Sequence, residues 1–77
     1  MDYVGQNNIF PYDFEPNGWA FCDGRLLPIS QNTALFSVIG TKFGGDGRST
    51  FALPDYKGQA PAGSSYFIRL QGTPIRG

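Results

Sequence analysis

Few side chains in this sequence are equipped for chemistry. There is no histidine and a single cysteine, Cys22, so Ser-His-Asp and Cys-His catalysis and histidine-ligated metals are excluded. Cys22 has no second thiol for an intramolecular disulfide and no cation cluster beside it to lower its pKa. It reads as a small buried apolar residue. Asp13, Glu15, Asp23, Asp46 and Asp55 all sit in or next to turn signals, where Asp normally caps backbone. Paired-carboxylate catalysis needs two acids converging in a cleft. The run Gly44-Gly45-Asp46-Gly47-Arg48 lacks the Gly-Lys-Ser/Thr ending of a phosphate loop, and no strong helix follows it. It reads as a tight loop in which Asp46 bonds neighbouring amides. Asp46 and Asp55 do not match the spacing of a calcium loop. The expectation is a chain with no catalytic residues, no metal site and no cofactor.

Composition narrows the class further. Six Lys/Arg balance six Asp/Glu, which leaves no basic field for nucleic acid. A hydrophobic fraction of 40% against a charged fraction of 16% argues for a folded chain rather than a disordered one. No apolar run approaches the roughly 18 residues of a membrane span. The start lacks a basic region followed by an apolar stretch, so no conventional signal peptide is expected. At 77 residues the chain makes one small domain, whose core barely offsets the cost of ordering the backbone. With disulfides and histidine-bound metals unavailable, a homo-oligomer is the expected source of extra stability.

The elements that must position these residues are short. Eleven glycines and six prolines spread along the chain favour strands and tight turns over long helices. The segment 1–10 reads as extended or, at Gly5-Gln6-Asn7-Asn8, as a turn. Pro11 and Pro16 bracket a loop or edge strand. Trp19 to Cys22 forms a short strand with Trp19 and Phe21 on one face and Ala20 and Cys22 on the other. Asp23-Gly24 between two apolar runs predicts a hairpin from 19–22 to 25–29. Ser30 is the expected N-cap of one helix, Gln31 to Ile39, with Leu35, Val38 and Ile39 as its packing stripe and Gly40 ending it. Phe51 to Leu53 is strand-like. Ser65 to Gln71 is the longest strand run, with Tyr66, Ile68 and Leu70 on one face and Phe67, Arg69 and Gln71 on the other. The fold class is mainly β (α+β), a small Gly-rich domain with an Asp-Gly hairpin and one short helix.

Gly18-Trp19-Ala20-Phe21-Cys22-Asp23-Gly24 resembles the bacteriophage tail-collar family, which includes proteins called microcystin-dependent. The similarity continues through Leu27-Pro28-Ile29-Ser30-Gln31-Asn32, Ala34-Leu35-Phe36-Ser37 and Gly40-Thr41. It then runs from Phe43-Gly44-Gly45-Asp46-Gly47-Arg48 through Ser49-Thr50-Phe51-Ala52-Leu53-Pro54-Asp55 to Gly58. The opening Tyr3-Val4-Gly5 with Ile9-Phe10, and the ending Tyr66 to Gly72, resemble the family's first and closing strands more loosely. The resemblance implies a structural, non-enzymatic tail-fibre or baseplate part, commonly oligomeric. It implies backbone-geometry roles for Gly24, Gly44, Gly45, Gly47 and Gly58, and core roles for Trp19, Leu35, Phe36, Phe51 and Leu53. Many relatives carry a long Gly-rich, often His-containing insert before the last strand. Here only 59–65 intervene, without histidine, so a metal-bound fibre tip is not expected.

These readings converge on a single tail-collar-like domain over 1–77. Its compact unit is placed at about 17–58, with an N-terminal arm 1–16 and a C-terminal strand 65–71. Asp23, Gly24, Gly44, Gly45, Asp46, Gly47 and Gly58 are expected at structural turns. Trp19, Phe21, Leu35, Val38, Ile39, Phe51 and Leu53 are expected in the core. The expected function is a structural subunit of an extracellular or virion fibre, self-assembling by strand sharing through its ends. Tyr66, Phe67, Ile68, Arg69 and Leu70, or Val4, Ile9 and Phe10, would supply the interface; an interface that does not close makes a filament, one that closes a ring or trimer. The alternative is a binding module that displays Tyr12, Phe14 and Tyr56 to a cell-surface glycan or receptor. Neither reading involves nucleic acid or membrane insertion.

Overall fold

A computed structural model of the chain describes residues 3–72; Met1, Asp2 and the tail from residue 73 on, to which the arm and the Gly72-Thr73-Pro74 ending extend, lie outside them. Five short strands and one helix follow one another as β1 (Asn7–Phe10), β2 (Trp19–Phe21), β3 (Leu26–Pro28), α1 (Thr33–Ile39), β4 (Thr50–Ala52) and β5 (Ser65–Arg69). They make two antiparallel sheets, a three-stranded one in the order β1-β5-β2 and a two-stranded one of β3 and β4. This is the small, mainly β architecture with one short helix that the glycine and proline content favours.

Strand β5 is the centre of the larger sheet, and this corrects two expectations. Phe67 lies opposite Asn8 on one side and Phe21 on the other, so both backbone edges of β5 are spent inside the chain. Its residues Tyr66 to Leu70 therefore cannot supply a shared strand. Nor are the ends detached arms. The first strand and the last pair with each other, and Val4, 1% exposed, is part of the core. A half-polar strand such as β1 is poor at standing alone. It forms because β5 gives it a ladder and a flank to pack on.

The Asp23-Gly24 hairpin is also corrected. A two-residue type I′ turn needs positive φ at both central residues, and only Gly24 has it, at +80°. The chain instead crosses between sheets here. Gly24 donates to the Pro54 carbonyl at 3.1 Å and Leu53 donates to Arg25 at 2.9 Å, which draws the segment after Gly24 onto β4. Leu27 then faces Phe51 in the β3–β4 register.

The helix begins two residues later than the Ser30 cap predicts. Ile29–Gln31 is a 3-10 turn and Asn32 occupies the N-cap position of α1. The Asn32 side chain is committed elsewhere, donating to the Pro28 carbonyl at 3.0 Å. Gly40 ends the helix at φ +54°. Leu35 is fully buried and Ile39 packs on the core, but Val38 is 38% exposed and leaves the predicted stripe. A helix of two turns buries one row of side chains, and Leu35 takes that row.

The core joins both sheets and the helix through Val4, Ala20, Cys22, Leu35, Phe51, Leu53 and Ile68. Ala20 of β2, and Cys22 just past its end, face this cluster. Trp19 and Phe21 face the opposite side of the sheet, where Trp19, Phe10 and Phe67 form a second, aromatic layer. The Gly44–Arg48 loop packs against β4. There Gly45, at φ +93°, would place a Cβ 2.4 Å from the Phe51 backbone, so only glycine fits.

Candidate functional site

Two features of the larger sheet stand out as contact surfaces, a ladder of aromatic rings and an outer backbone edge. The rings come from both strands and loop. Phe10 at the end of β1 meets Trp19 edge-on at 5.0 Å, and Phe67 lies 5.4 Å away on β5. Pro11 ends the strand, and the following loop folds back so that Tyr12 stacks on Phe10 at 5.3 Å and Phe14 stacks on Tyr12 at 5.1 Å. The row runs from a buried end at Phe67 to an open end, with Tyr12 40% and Phe14 57% exposed. Arg69 lies over the Trp19 ring, its buried Nε without a hydrogen-bond partner, so the ring face holds that cation by its quadrupole.

The backbone edges differ more sharply. In an antiparallel ladder alternate residues direct N–H and C=O to one side. Arg69 donates to the Gln6 carbonyl at 2.9 Å, while Cys22 donates to the Tyr66 carbonyl and Leu70 to that of Gly18. Odd residues of β5 therefore serve β1 and even ones serve β2. It follows that Asn7 and Ile9 of β1, and Trp19 and Phe21 of β2, aim their backbone groups away from the sheet.

Three of the four outer edges are closed or impaired. On β2, Trp19 donates to the Pro16 carbonyl at 2.9 Å and Phe21 donates to the Glu15 carboxylate at 2.9 Å. Glu15 is held there by an ion pair with Arg25, whose guanidinium also bonds Asp23. The Arg25 fork keeps the Asp23 carboxyl below the ordinary Asp range. On β4, Ala52 donates to the Gly44 carbonyl, the Thr50 carbonyl accepts from Gly47, and the Thr50 amide donates to Asp46. On β3, Pro28 has no N–H and its carbonyl accepts from Asn32, which leaves Leu26 alone. On β1, by contrast, the outward groups of Asn7 and Ile9 meet no partner among the described residues. Ile9 is 44% exposed beside them.

The remaining predicted positions fall into place around these surfaces. Asp46 bridges its loop, its Oδ1 accepting from the amides of Arg48, Ser49 and Thr50 at 2.9–3.0 Å. These donors, Ser49 first, hold its carboxyl well below the usual range. Gly58 lies in the turn after Asp55, whose carboxyl Lys57 lowers in the same sense. Tyr66, Ile68 and Leu70 pack on the core, with Tyr56 edge-on to Tyr66 at 5.4 Å. Cys22 borders a cleft of about 200 Å³ between Phe21, Tyr56, Lys57 and Ser64. Burial, and then the neighbouring Asp23 charge, push its thiol up to about 11, so at neutral pH it is neither a thiolate nor a nucleophile. Sequence reasoning pointed to Ile9 but missed Asn7, and it read Glu15 only as a turn acid. The signal available was the Glu15-Pro16 pair two residues before a glycine-led strand. It names a break in the chain but not which amide the carboxylate reaches.

The family model for the Phage Tail Collar Domain matches residues 5–61. That span contains β1, the aromatic loop, both strands of the smaller sheet, α1 and the Asp46 loop, and it ends before β5. No curated protein matches the chain.

Proposed function

The chain belongs to the phage tail collar domain family, and from that premise we propose that it is a structural subunit of a phage tail fibre. In this reading copies of it join through the outer edge of β1. The observation that carries the proposal is the contrast of edges. A sheet edge with unpaired N–H and C=O groups is a template for another strand, and folded proteins normally blunt it. Here Pro16, Glu15, Gly44, Gly47, Asp46 and Pro28 blunt the others, and the β1 edge meets no partner among the described residues. Main-chain bonds across such an edge supply affinity, and alternate side chains supply fit. The strand sharing expected of the N-terminal segment thus rests on Asn7 and Ile9, while Val4 serves the core and Phe10 the aromatic layer.

The role asked of the molecule is mechanical, and its buried thiol and backbone-bound carboxylates suit that role better than catalysis. Light scattering on the purified full chain across a wide concentration range tests it. The reading predicts a mass that rises with concentration to a multiple of 8.4 kDa. A mass equal to one chain throughout would overturn it.

The stacked, exposed rings of Tyr12 and Phe14 favour a second reading, a flat platform on which a sugar ring of a cell-surface glycan lies. Glycan-array binding that is lost on Phe14→Ala supports it. Equal binding by both proteins, or none, removes it.

A further inference from the structure

Resting on the glycan reading above, we propose that the sugar on the Tyr12 platform continues into the cleft beside Cys22. The cleft takes the acetamido group of an uncharged 2-acetamido sugar, and the site as a whole turns acidic sugars away.

Two depressions open at the end of the larger sheet where Phe10, Phe21 and Ser65 lie. The cleft of about 200 Å³ is walled by Phe21, Cys22, Tyr56 and Tyr66. A shallower groove of about 690 Å³ runs from Tyr12 and Asp13 to Gly63. Phe21, Ser64 and Ser65 line both, so the two make one continuous surface with Tyr12 at its outer end. Tyr3 and Gly72, the limits of the described residues, lie at the opposite end of the sheet, where Gly5 donates to the Arg69 carbonyl at 2.9 Å. The walls are held by the chain's own backbone. The Tyr56 amide donates to the Cys22 carbonyl at 2.8 Å and the Cys22 amide to that of Tyr66 at 3.0 Å, while the Ser64 amide and hydroxyl both bond the Pro61 carbonyl. Walls already ordered cost little to organise on binding.

The two halves differ in chemistry. The groove offers the Asp13 carboxylate and the Ser64 and Ser65 hydroxyls, which suit the hydroxyls of a sugar ring. The cleft offers aromatic rings and a buried, protonated thiol, which suit a methyl group. Its volume lies below the roughly 300 Å³ at which pockets for drug-sized ligands begin, so it takes a single ring or substituent. An acetamido group carries a methyl for the cleft and an amide for the hydroxyls at its mouth. Charge decides against acidic sugars. The Lys57 ammonium is 3.0 Å from the Asp55 carboxylate and donates to the Asp23 carbonyl, and Arg25 bonds the Asp23 carboxylate, so the ions beside the cleft are matched. Asp13 pairs with no cation among the described residues and leaves the groove negative. A sugar carboxylate or phosphate placed there meets a like charge with nothing to offset it.

Titration of the labelled full chain, followed by NMR, tests this with three probes: methyl N-acetyl-β-glucosaminide, methyl β-glucoside and methyl β-glucuronide. The acetamido sugar is expected to shift the amides of Cys22, Tyr56 and Ser65 with a Kd in the millimolar range, and the other two to bind at least tenfold more weakly. Ala60→Leu puts a larger side chain into the cleft and should abolish these shifts, whereas Ala62→Leu, on the same exposed loop but outside the cleft, should leave them unchanged. Asp13→Asn should narrow the gap between the glucuronide and the glucoside. Equal binding of glucoside and acetamido sugar, or shifts that survive Ala60→Leu, overturns the assignment of the cleft. Glucuronide binding as tight as that of the acetamido sugar overturns the charge selection. Shifts confined to Tyr12 and Phe14 overturn the cleft and leave the platform reading standing; array binding by no glycan, with no shift from any probe, removes both.

Discussion

β1 and β2 flank the same central strand, run antiparallel to it and are nearly equal in length, yet the chain treats their outer edges differently. Beyond β2 it doubles back, and Pro16 and Glu15 accept both outward amides. Beyond β1 nothing among the described residues does so. Edge protection is thus a local device, built by a few residues just before the strand in sequence. Such residues can be supplied on one flank and withheld on the other without altering the sheet. On the proposed reading the unprotected flank is where copies join, because bonding there displaces water and no partner among the described residues.

The comparison holds only if the central strand supports both flanks, and removing that support produces the largest effect. Phe67 is fully buried and touches Phe10 on one side and Phe21 on the other. Phe67→Ala should destabilise the fold by about 3–5 kcal/mol, read as a shift in urea midpoint, with association lost at the same time. A loss under about 1 kcal/mol would mean the aromatic layer is not packed as described.

Opening the protected flank comes next. Glu15→Ala frees the Phe21 amide and releases Arg25. The stability cost is about 1 kcal/mol, since the pair is partly exposed. The larger consequence is a second open edge, which gives copies of the chain another place to join. Sedimentation velocity of the variant should show larger species than the parent at the same concentration. If Glu15→Ala sediments as the parent does, the difference between the flanks does not lie in Glu15.

The smallest effect separates the β4 edge from these. Amide donors hold the Asp46 carboxyl below its ordinary value. A depressed folded pKa contributes stability that is present above the unfolded value, about 3.9, and lost as pH falls through the folded one. Asp46→Asn should therefore melt at a lower temperature than the parent at pH 7, with the gap narrowing as pH drops below about 4. Thermal melts at both pH values check the sign; a gap that widens in acid would contradict the loop geometry. Asp23 and Asp55 shift in the same direction, so the parent-minus-variant difference is what isolates Asp46.

The legible parts of this molecule were those fixed by neighbours in sequence. Alternation along Tyr66 to Leu70 sorted Ile68 from Phe67 correctly, and Asp46 caps its own loop through amides two to four residues on. The family was legible from the run at Gly18 to Gly24 and its continuation. What was hidden depends on contacts distant in sequence. Asp23-Gly24 carries a hairpin signal, but capture of Arg25 by Leu53 decides its path. β5 looked terminal because it is last in the chain, yet register with both β1 and β2 makes it central. Val38 fits the helical stripe, but a two-turn helix presents only one buried row and Leu35 fills it. The site itself was half visible. Ile9 could be named as a strand former and a candidate interface residue, whereas the openness of its backbone rests on which of the described residues fail to pair with it.

The most direct test of the central claim follows individual amides. Hydrogen exchange measured by NMR on the full chain, dilute and concentrated, compares Asn7 and Ile9 with Trp19 and Phe21. The account predicts rapid exchange at Asn7 and Ile9 in the dilute sample and slowing by tenfold or more as concentration rises, with Trp19 and Phe21 protected at both. Concentration-independent exchange at Asn7 and Ile9, with protection gained elsewhere, would contradict it.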